Sequence, residues 1–273
     1  MKTENMRRNL SFILILTLIF SSCAPKHVPA KAGSGTLKVM AYNIHHANPP
    51  SKPGLIDVDA IVNVLKRESP DIVALQEVDV NVNRSGNINQ AREIAEKAGY
   101  TSFHFSKAID YDGGNYGVAI LSKFALSDMQ THRLPTDAST NGESRVLSLA
   151  TVTLPNGKKI KFGSTHLDAQ RPDVNRLLQA REINRIAKEV SLPMIIAGDF
   201  NATENSEVIK IIQSYFQLTC RNCAPTIPQV NPNRTIDFIA FEPGNAFEVL
   251  SHKVVQEPYA SDHLPVISEL QLK

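Results

Sequence analysis

The sequence predicts an α/β domain in which mixed β-sheets pack face to face, with helices on their outer sides. Three observations lead there. Short β-type runs alternate with helix-period segments, but without the strict strand–helix beat of a doubly wound sheet. The runs at 149–154 and 159–164 flank Pro155-Asn156-Gly157, which reads as a tight turn closing an antiparallel hairpin and so argues against a purely parallel sheet. About 235 residues remain after an N-terminal leader, enough for one domain with an ample core.

The leader comes first. Residues 1–22 place Lys2, Arg7 and Arg8 ahead of an apolar stretch at 12–20. That stretch is shorter than the roughly 20 residues of a membrane span and reads as a secretory signal. Ser21-Ser22-Cys23 resembles the lipobox of bacterial lipoproteins, which makes Cys23 the expected lipidation site. Residues 23–36, rich in Pro, Ala, Lys and Gly, are expected to tether a folded domain at 37–273. The expected location is therefore outside the cytoplasm, periplasm-facing or on the outer surface, with membrane attachment through lipid on Cys23.

Strand-like runs follow at 37–42, 72–76, 117–121, 147–154, 159–164, 194–197, 236–241 and 266–270. Helix periodicity appears at 58–67, 89–98, 174–190 and 206–214, with Asn205 expected to cap the last. Residues 110–115, Asp-Tyr-Asp-Gly-Gly-Asn, read as a polar, Gly-rich loop beside the site.

The whole chain carries 29 Lys+Arg against 27 Asp+Glu. Residues 1–22 hold three of the bases and one of the acids, so the remainder is balanced. A protein gripping many phosphates along a nucleic acid shows a basic excess or stripe, so extended nucleic-acid binding is not favoured. Besides Cys23 there are only Cys220 and Cys223. In an oxidising compartment they read as a small disulfide loop or as free thiols, since a zinc site would need a second ligand pair.

Four strands end in polar residues. The run Met194-Ile195-Ile196-Ala197 breaks into Gly198-Asp199-Phe200-Asn201, and similar edges occur at Tyr42-Asn43-Ile44-His45, Leu75-Gln76-Glu77 and Ser164-Thr165-His166-Leu167-Asp168. With Asp237, Asp262 and His263 they form a candidate constellation. Carboxylate and amide oxygens suit a hard cation, so Glu77 with Asn43 is a credible Mg2+ site. Asp199 can accept a proton from water while Asn201 holds the geometry, and Asp237 can orient His263 by accepting its ring N–H.

These segments, together with Asn115-Tyr116-Gly117-Val118-Ala119-Ile120-Leu121-Ser122, Ile236-Asp237-Phe238-Ile239 and Ser261-Asp262-His263-Leu264-Pro265-Val266, resemble the endonuclease/exonuclease/phosphatase superfamily, the deoxyribonuclease-I-like hydrolases. Seven motifs stand in the family's order across about residues 37 to 272. The resemblance implies a four-layer α/β-sandwich of two packed mixed sheets flanked by helices, and Mg2+-dependent cleavage of phosphate esters, with Mn2+ as a substitute.

Carried over by motif, Glu77 is the principal metal ligand, Asn43 its neighbour, and Asp262 a further ligand. Asp199 and Asn201 match the acid-base and orienting pair, Asp237 and His263 the hydrogen-bonded dyad, and His166 a second catalytic histidine. Tyr116 and Arg145 resemble groups that contact the phosphate, and Arg84 resembles a basic residue of small bacterial members. One departure stands out: His45 occupies the place where AP-endonuclease-like members carry an acid, which argues against that DNA-repair role.

The expected activity is hydrolysis of a phosphodiester, or a phosphomonoester, of a small soluble or lipid-derived substrate outside the cytoplasm. The alternatives are an exported nuclease and, in another class, a non-catalytic lipoprotein that binds a phosphorylated or glycan ligand. Substrate selection is expected from the loops around Arg84, Asp112 and Arg171.

Overall fold

The computed structural model describes residues 35–244 and 246–273, so the signal, most of the tether and Cys23 lie outside the described residues. The elements run β1 (Thr36–Asn43), α1 (Val58–Glu68), β2 (Ile72–Val80), α2 (Gln90–Ala98), β3 (Ser102–Tyr111), β4 (Gly114–Ser122), β5 (Ala125–Arg133) and β6 (Val146–Thr153). They continue β7 (Lys159–His166), α3 (Val174–Lys188), β8 (Met194–Asp199), α4 (Glu207–Gln213), β9 (Gln217–Leu218), β10 (Asp237–Phe241), β11 (Phe247–Val254) and β12 (Val266–Leu272).

The strands form two six-stranded sheets, ordered β11-β12-β1-β2-β4-β3 and β5-β6-β7-β8-β10-β9. Each is mixed. The pairs β1–β2 and β7–β8 are parallel, and the remaining pairs in both sheets are antiparallel. The expected hairpin is β6–β7, whose turn is closed by hydrogen bonds between Leu154 and Lys158 and from Gly157 N–H to Leu154 O.

Side-chain alternation explains the layering, because a strand sends successive residues to opposite faces. On β1, Leu37, Val39 and Ala41 enter the cluster between the sheets, while Met40 and Tyr42 enter the cluster that includes α1 and α2. On β8, Ile195 and Ala197 face the inter-sheet core, while Met194 and Ile196 join the α3 and α4 side. Three apolar layers thus separate helix, sheet, sheet and helix, giving the four-layer sandwich.

The helix boundaries follow from local chemistry. Asp57 caps α1 by accepting from Ala60 N–H, and Asn89 caps α2 by accepting from Arg92 N–H. Ser206, one residue beyond the expected Asn205, caps α4 by accepting from Ile209 N–H. The expected loop at 110–115 is instead the tight β3–β4 hairpin turn, with Asp112 and Gly113 in left-handed backbone. Cys220 and Cys223 are disulfide-bonded and pack against the helix-side core of the second sheet.

The strands β3, β5, β9 and β11 carry no apolar run in the sequence. All four are the outermost strands of their sheets. An edge strand is buried on fewer sides, and β5 is exposed along most of its length, so its sequence lacks the hydrophobic signal that marks a central strand.

Gly198 tests how tightly the site's frame is packed. It adopts φ +154° and lies against β7, where an added Cβ would overlap the Thr165 carbonyl oxygen. Gly198→Ala is expected to cost about 3 kcal/mol or more, lowering the melting temperature by roughly 6 to 12 °C. A calorimetric shift below about 2 °C would show that β7 and β8 have room to separate.

Candidate active site

The inter-sheet layer turns polar at one end. Continuing the alternation past Ala41, Ala74, Phe162, Ala197 and Ile239 leads to Asn43, Gln76, Ser164 with His166, Asp199 and Asp237. These residues are all buried, and they link the two sheets. Gln76 Nε2 donates to Ser164 Oγ at 3.2 Å, and Asn43 Nδ2 donates to Asp199 Oδ2 at 3.1 Å. The apolar core therefore ends in a hydrogen-bonded polar floor.

Glu77 has the wrong parity for this face and reaches it through a defect. The β2–β4 register shifts between Leu75 and Val78, and Glu77 sits in the bulge at φ +57°. A bulge re-aims a side chain, and a left-handed backbone at a residue with a Cβ is held only where the surroundings fix it. Glu77 Oε1 then accepts the same Asn43 amide at 3.1 Å. One Asn43 amide group donates to acids from both sheets.

That network fixes which end of the Asn43 side chain faces the acids. Two carboxylates need a donor, so the NH2 end turns to them while Oδ1 accepts the His45 backbone N–H at 3.0 Å. Asn43 is placed as a tie between Glu77 and Asp199, not with its oxygen beside Glu77. Asp262 is not brought into hydrogen-bond contact with either. Its carboxylate accepts from Ser261 Oγ at 3.3 Å, and Ser261 Oγ in turn bonds the Asn43 carbonyl at 2.7 Å.

The Asp199 carboxylate is the hub. Its Oδ1 accepts the Asn201 backbone N–H at 2.8 Å, and Asn201, at φ +48°, anchors its own amide to Leu167 O at 2.9 Å. Its Oδ2 faces Asn43, His166 Nε2 at 3.4 Å and His263 Nε2 at 3.8 Å. Burial and the nearby Asp237 charge push the Asp199 carboxyl up to about 7, against the pull of His263 and the N–H groups of Asn201 and Asn43.

The two histidines differ in charge. His263 Nδ1 donates to both Asp237 oxygens, at 3.1 and 2.9 Å. Burial opposes its charge, yet Asp237, Asp199 and Asp262 hold the imidazolium, and its pKa is raised to about 10. His166 is buried beside Arg145, and both effects push its pKa well below the ordinary value. Arg145 Nη1 can only donate, so at 3.2 Å it requires His166 Nδ1 to accept. The proton of neutral His166 is thereby placed on Nε2, directed at Asp199.

Glu77 stays ionised. Burial works against its charge, but His46 at 3.8 Å, the Asn43 N–H and His263 keep its carboxyl well below the usual range. The remaining expected residues form a wall. Tyr116, whose hydroxyl pKa burial raises, sits beside Arg145. Arg145 also pairs with Glu143 at 3.1 Å. Arg84 is engaged with a buried acid: its Nε and Nη2 grip the fully buried Asp79 at 2.8 and 2.9 Å, and Ser85 Oγ shares that acid. Its guanidinium stacks 4.4 Å from the Tyr111 ring centre and 5.6 Å from Tyr116. Two of its nitrogens are committed to that buried carboxylate.

Gln76, Ser164 and the positioning turn His45-His46-Ala47, its three residues all at positive φ, belong to the site although no role was assigned to them from the sequence. A polar Gln inside an otherwise apolar strand was the available signal. Asp168, at the β7 edge, is buried outside the hub, where Asn175 Nδ2 donates to it at 2.7 Å.

A family model described as Endonuclease/Exonuclease/phosphatase family matches residues 40–263. The chain belongs to the endonuclease/exonuclease/phosphatase family. Solved structures agree on the fold. An endonuclease/exonuclease/phosphatase from Beutenbergia cavernae is 24% identical, with a TM-score of 0.74 over 87% of this chain and 72% of that one. A mannosyl-6-phosphatase from Bacteroides thetaiotaomicron is 19% identical, with a TM-score of 0.71 over 86% and 99%. The human Nocturnin catalytic domain with bound sulfate is 22% identical, with a TM-score of 0.68 over 87% and 94%. The family architecture is the deoxyribonuclease-I-like α/β sandwich found here.

The charge on the His263–Asp237 pair makes the stability of this family member depend on pH. A folded-state pKa of about 10 against 6.5 means the pair's stabilisation is fully present below pH 6.5 and is lost as pH rises through about 10. In metal-free buffer the melting-temperature gap between wild type and His263→Gln should be widest near about pH 6 and narrow toward about pH 10.5. A gap that is constant or widens with pH would contradict the charged dyad.

Proposed function

We propose that this protein is a divalent-metal-dependent phosphoesterase. The observation that carries the reading is the convergence on Asp199. One buried carboxylate is tied to Glu77 through Asn43, fixed by Asn201, and faced by a charged and a neutral histidine.

The residues suit a hard cation at Glu77. That acid is ionised despite its surroundings, and its Oε2 has no hydrogen-bond donor among the described residues, the nearest basic group being His46 Nδ1 at 3.8 Å. A second grouping, Asp199, Asp237 and His263, also brings ligand-type atoms together. There, however, Asp237 and His263 Nδ1 already satisfy each other, which leaves Glu77 the better oxygen ligand. Mg2+ or Mn2+ held there would polarise a phosphoryl oxygen and offset its developing negative charge.

The chain's own residues account for the proton and the charge. Asp199, poised near neutrality, accepts a proton from the attacking water. Asn201 and Asn43 hold its carboxylate in one orientation, so little reorganisation accompanies attack. His263, held charged by Asp237, faces the phosphoryl oxygens as a cationic donor, and neutral His166 supplies an Nε2–H. Tyr116 and Arg145 line the adjoining wall. A small phosphoester outside the cytoplasm remains the reading of substrate and location, supported by the balanced charge and the leader sequence.

Hydrolysis of bis-p-nitrophenyl phosphate tests the assignment. Asp199→Asn and His263→Ala should each lower kcat about a hundredfold to a thousandfold, with melting temperatures that show a folded protein. Unchanged turnover in either would remove that residue from the mechanism. Chelation with EDTA should abolish the activity, and added Mg2+ or Mn2+ should restore it. Full activity in EDTA would exclude the metal role given to Glu77.

A further inference from the structure

A cavity of about 500 Å3 adjoins the candidate catalytic centre and shares Asn201 with it. Its walls come from four places: the segment after β7 with Ala169, Arg171 and Asp173, the start of α3 with Arg176, the segment between β8 and α4, and the Arg234 loop before β10. Thr203 and Ser206 contribute hydroxyl groups. Three guanidinium groups face a single carboxylate, Asp173, in a chain whose charges otherwise nearly balance.

Two of these three cations are not consumed by the fold. Asp173 is already neutralised by Arg176 Nη2, and Arg176 Nη1 donates to Asp168 O at 2.6 Å. Arg176 is 4% exposed, yet its buried Nε has no acceptor among the described residues. A buried donor without a partner costs about 1–3 kcal/mol unless something supplies an acceptor. Arg171 and Arg234 are exposed on different segments of the wall and form no ion pair among the described residues. Two unpaired guanidinium forks beside a third, fixed one present the planar donors that match phosphate oxygens.

We infer that this cavity is a subsite for a second phosphoryl group, so that the substrate is a small molecule phosphorylated at two positions. The inference rests on the phosphoesterase reading and narrows it. One phosphoryl group would lie against Asp199 and Glu77, and the other would be gripped by Arg171 and Arg234 past Asn201. The volume lies within the roughly 300–1,000 Å3 of ordinary small-ligand pockets, which favours a compact metabolite over a long polymer. The arginines read the distance between two phosphates, and the hub performs the cleavage.

Titration calorimetry with Mg2+ present, using hexose 1,6-bisphosphate, pentose 1,5-bisphosphate and nucleoside 3′,5′-bisphosphate, each beside its monophosphate parent, tests the subsite. Wild-type protein should bind at least one bisphosphate about tenfold to a hundredfold more tightly than its parent, the range of charge-assisted hydrogen bonds. In the Arg171→Ala/Arg234→Ala double variant, with an unchanged melting temperature, that ratio should fall to within about twofold. No preference in any pair, or a preference that survives the double substitution, overturns the subsite. Tighter binding of a single-stranded oligonucleotide than of every bisphosphate, lost in the double variant, overturns the small-molecule assignment. The underlying reading fails separately: wild-type protein inert toward bis-p-nitrophenyl phosphate that still prefers a bisphosphate keeps the subsite and loses the catalysis.

Discussion

The two-residue alternation of the inner strands is the constraint on which the rest depends. Inward-facing positions on β1, β2, β7, β8 and β10 are apolar through the middle of the sandwich and become Asn43, Gln76, His166, Asp199 and Asp237 at one end. A slip of one residue in any of these strands would send its polar terminus to the helix side and bring the wrong side chains into the core. The pairing that stabilises the fold therefore also assembles the site. The parallel register that sets His166 opposite Asp199 in β7–β8, and the antiparallel register that sets Asp237 opposite Asp199 in β8–β10, leave little freedom in where those groups meet.

Concentrating acids at the end of a hydrophobic layer raises an electrostatic problem that the structure resolves in two ways. Asp237 is compensated inside the protein by His263, through a hydrogen-bonded charge pair. Asp199 and Glu77 are joined through a neutral amide, which satisfies their lone pairs without cancelling their charge. These charges give the site its chemistry: burial and the nearby Asp237 raise the Asp199 carboxyl toward neutrality, and Glu77, left ionised, is an oxygen ligand for a cation. Arg145 acts similarly on His166, where a neighbouring cation and burial keep the ring neutral and fix its tautomer.

Left-handed backbone also occurs at the site. Glu77, Asn201 and the turn His45-His46-Ala47 all hold left-handed backbone, and Gly198 occupies a conformation that a side chain would not allow. Glu77 and Gly198 lie within the inner strands β2 and β8, and Asn201 and the turn follow directly after β8 and β1. The regular pairing of the sheets is interrupted where a side chain must be aimed, and the tight packing behind holds the interruption in place.

Much of this was legible in the sequence. Apolar runs marked the central strands, and Asn43, Glu77, His166, Asp199, Asn201, Asp237 and His263 stood out because polar residues ended those runs in a known family order. The outermost strands were not legible, because partial burial leaves no periodic signal, and the expected loop at 110–115 was a hairpin turn for the same reason. Residue type also could not say what Arg84 holds. The sequence offers a basic side chain, but a buried Asp79 five residues earlier claims two of its nitrogens. By itself, then, the sequence determined the layers and the chemical inventory of the site, since both follow from local pattern. Only the tertiary structure decided which groups are charged, which proton each histidine carries, and which arginines remain free beside Asn201, because those depend on distances between strands and loops far apart in the chain.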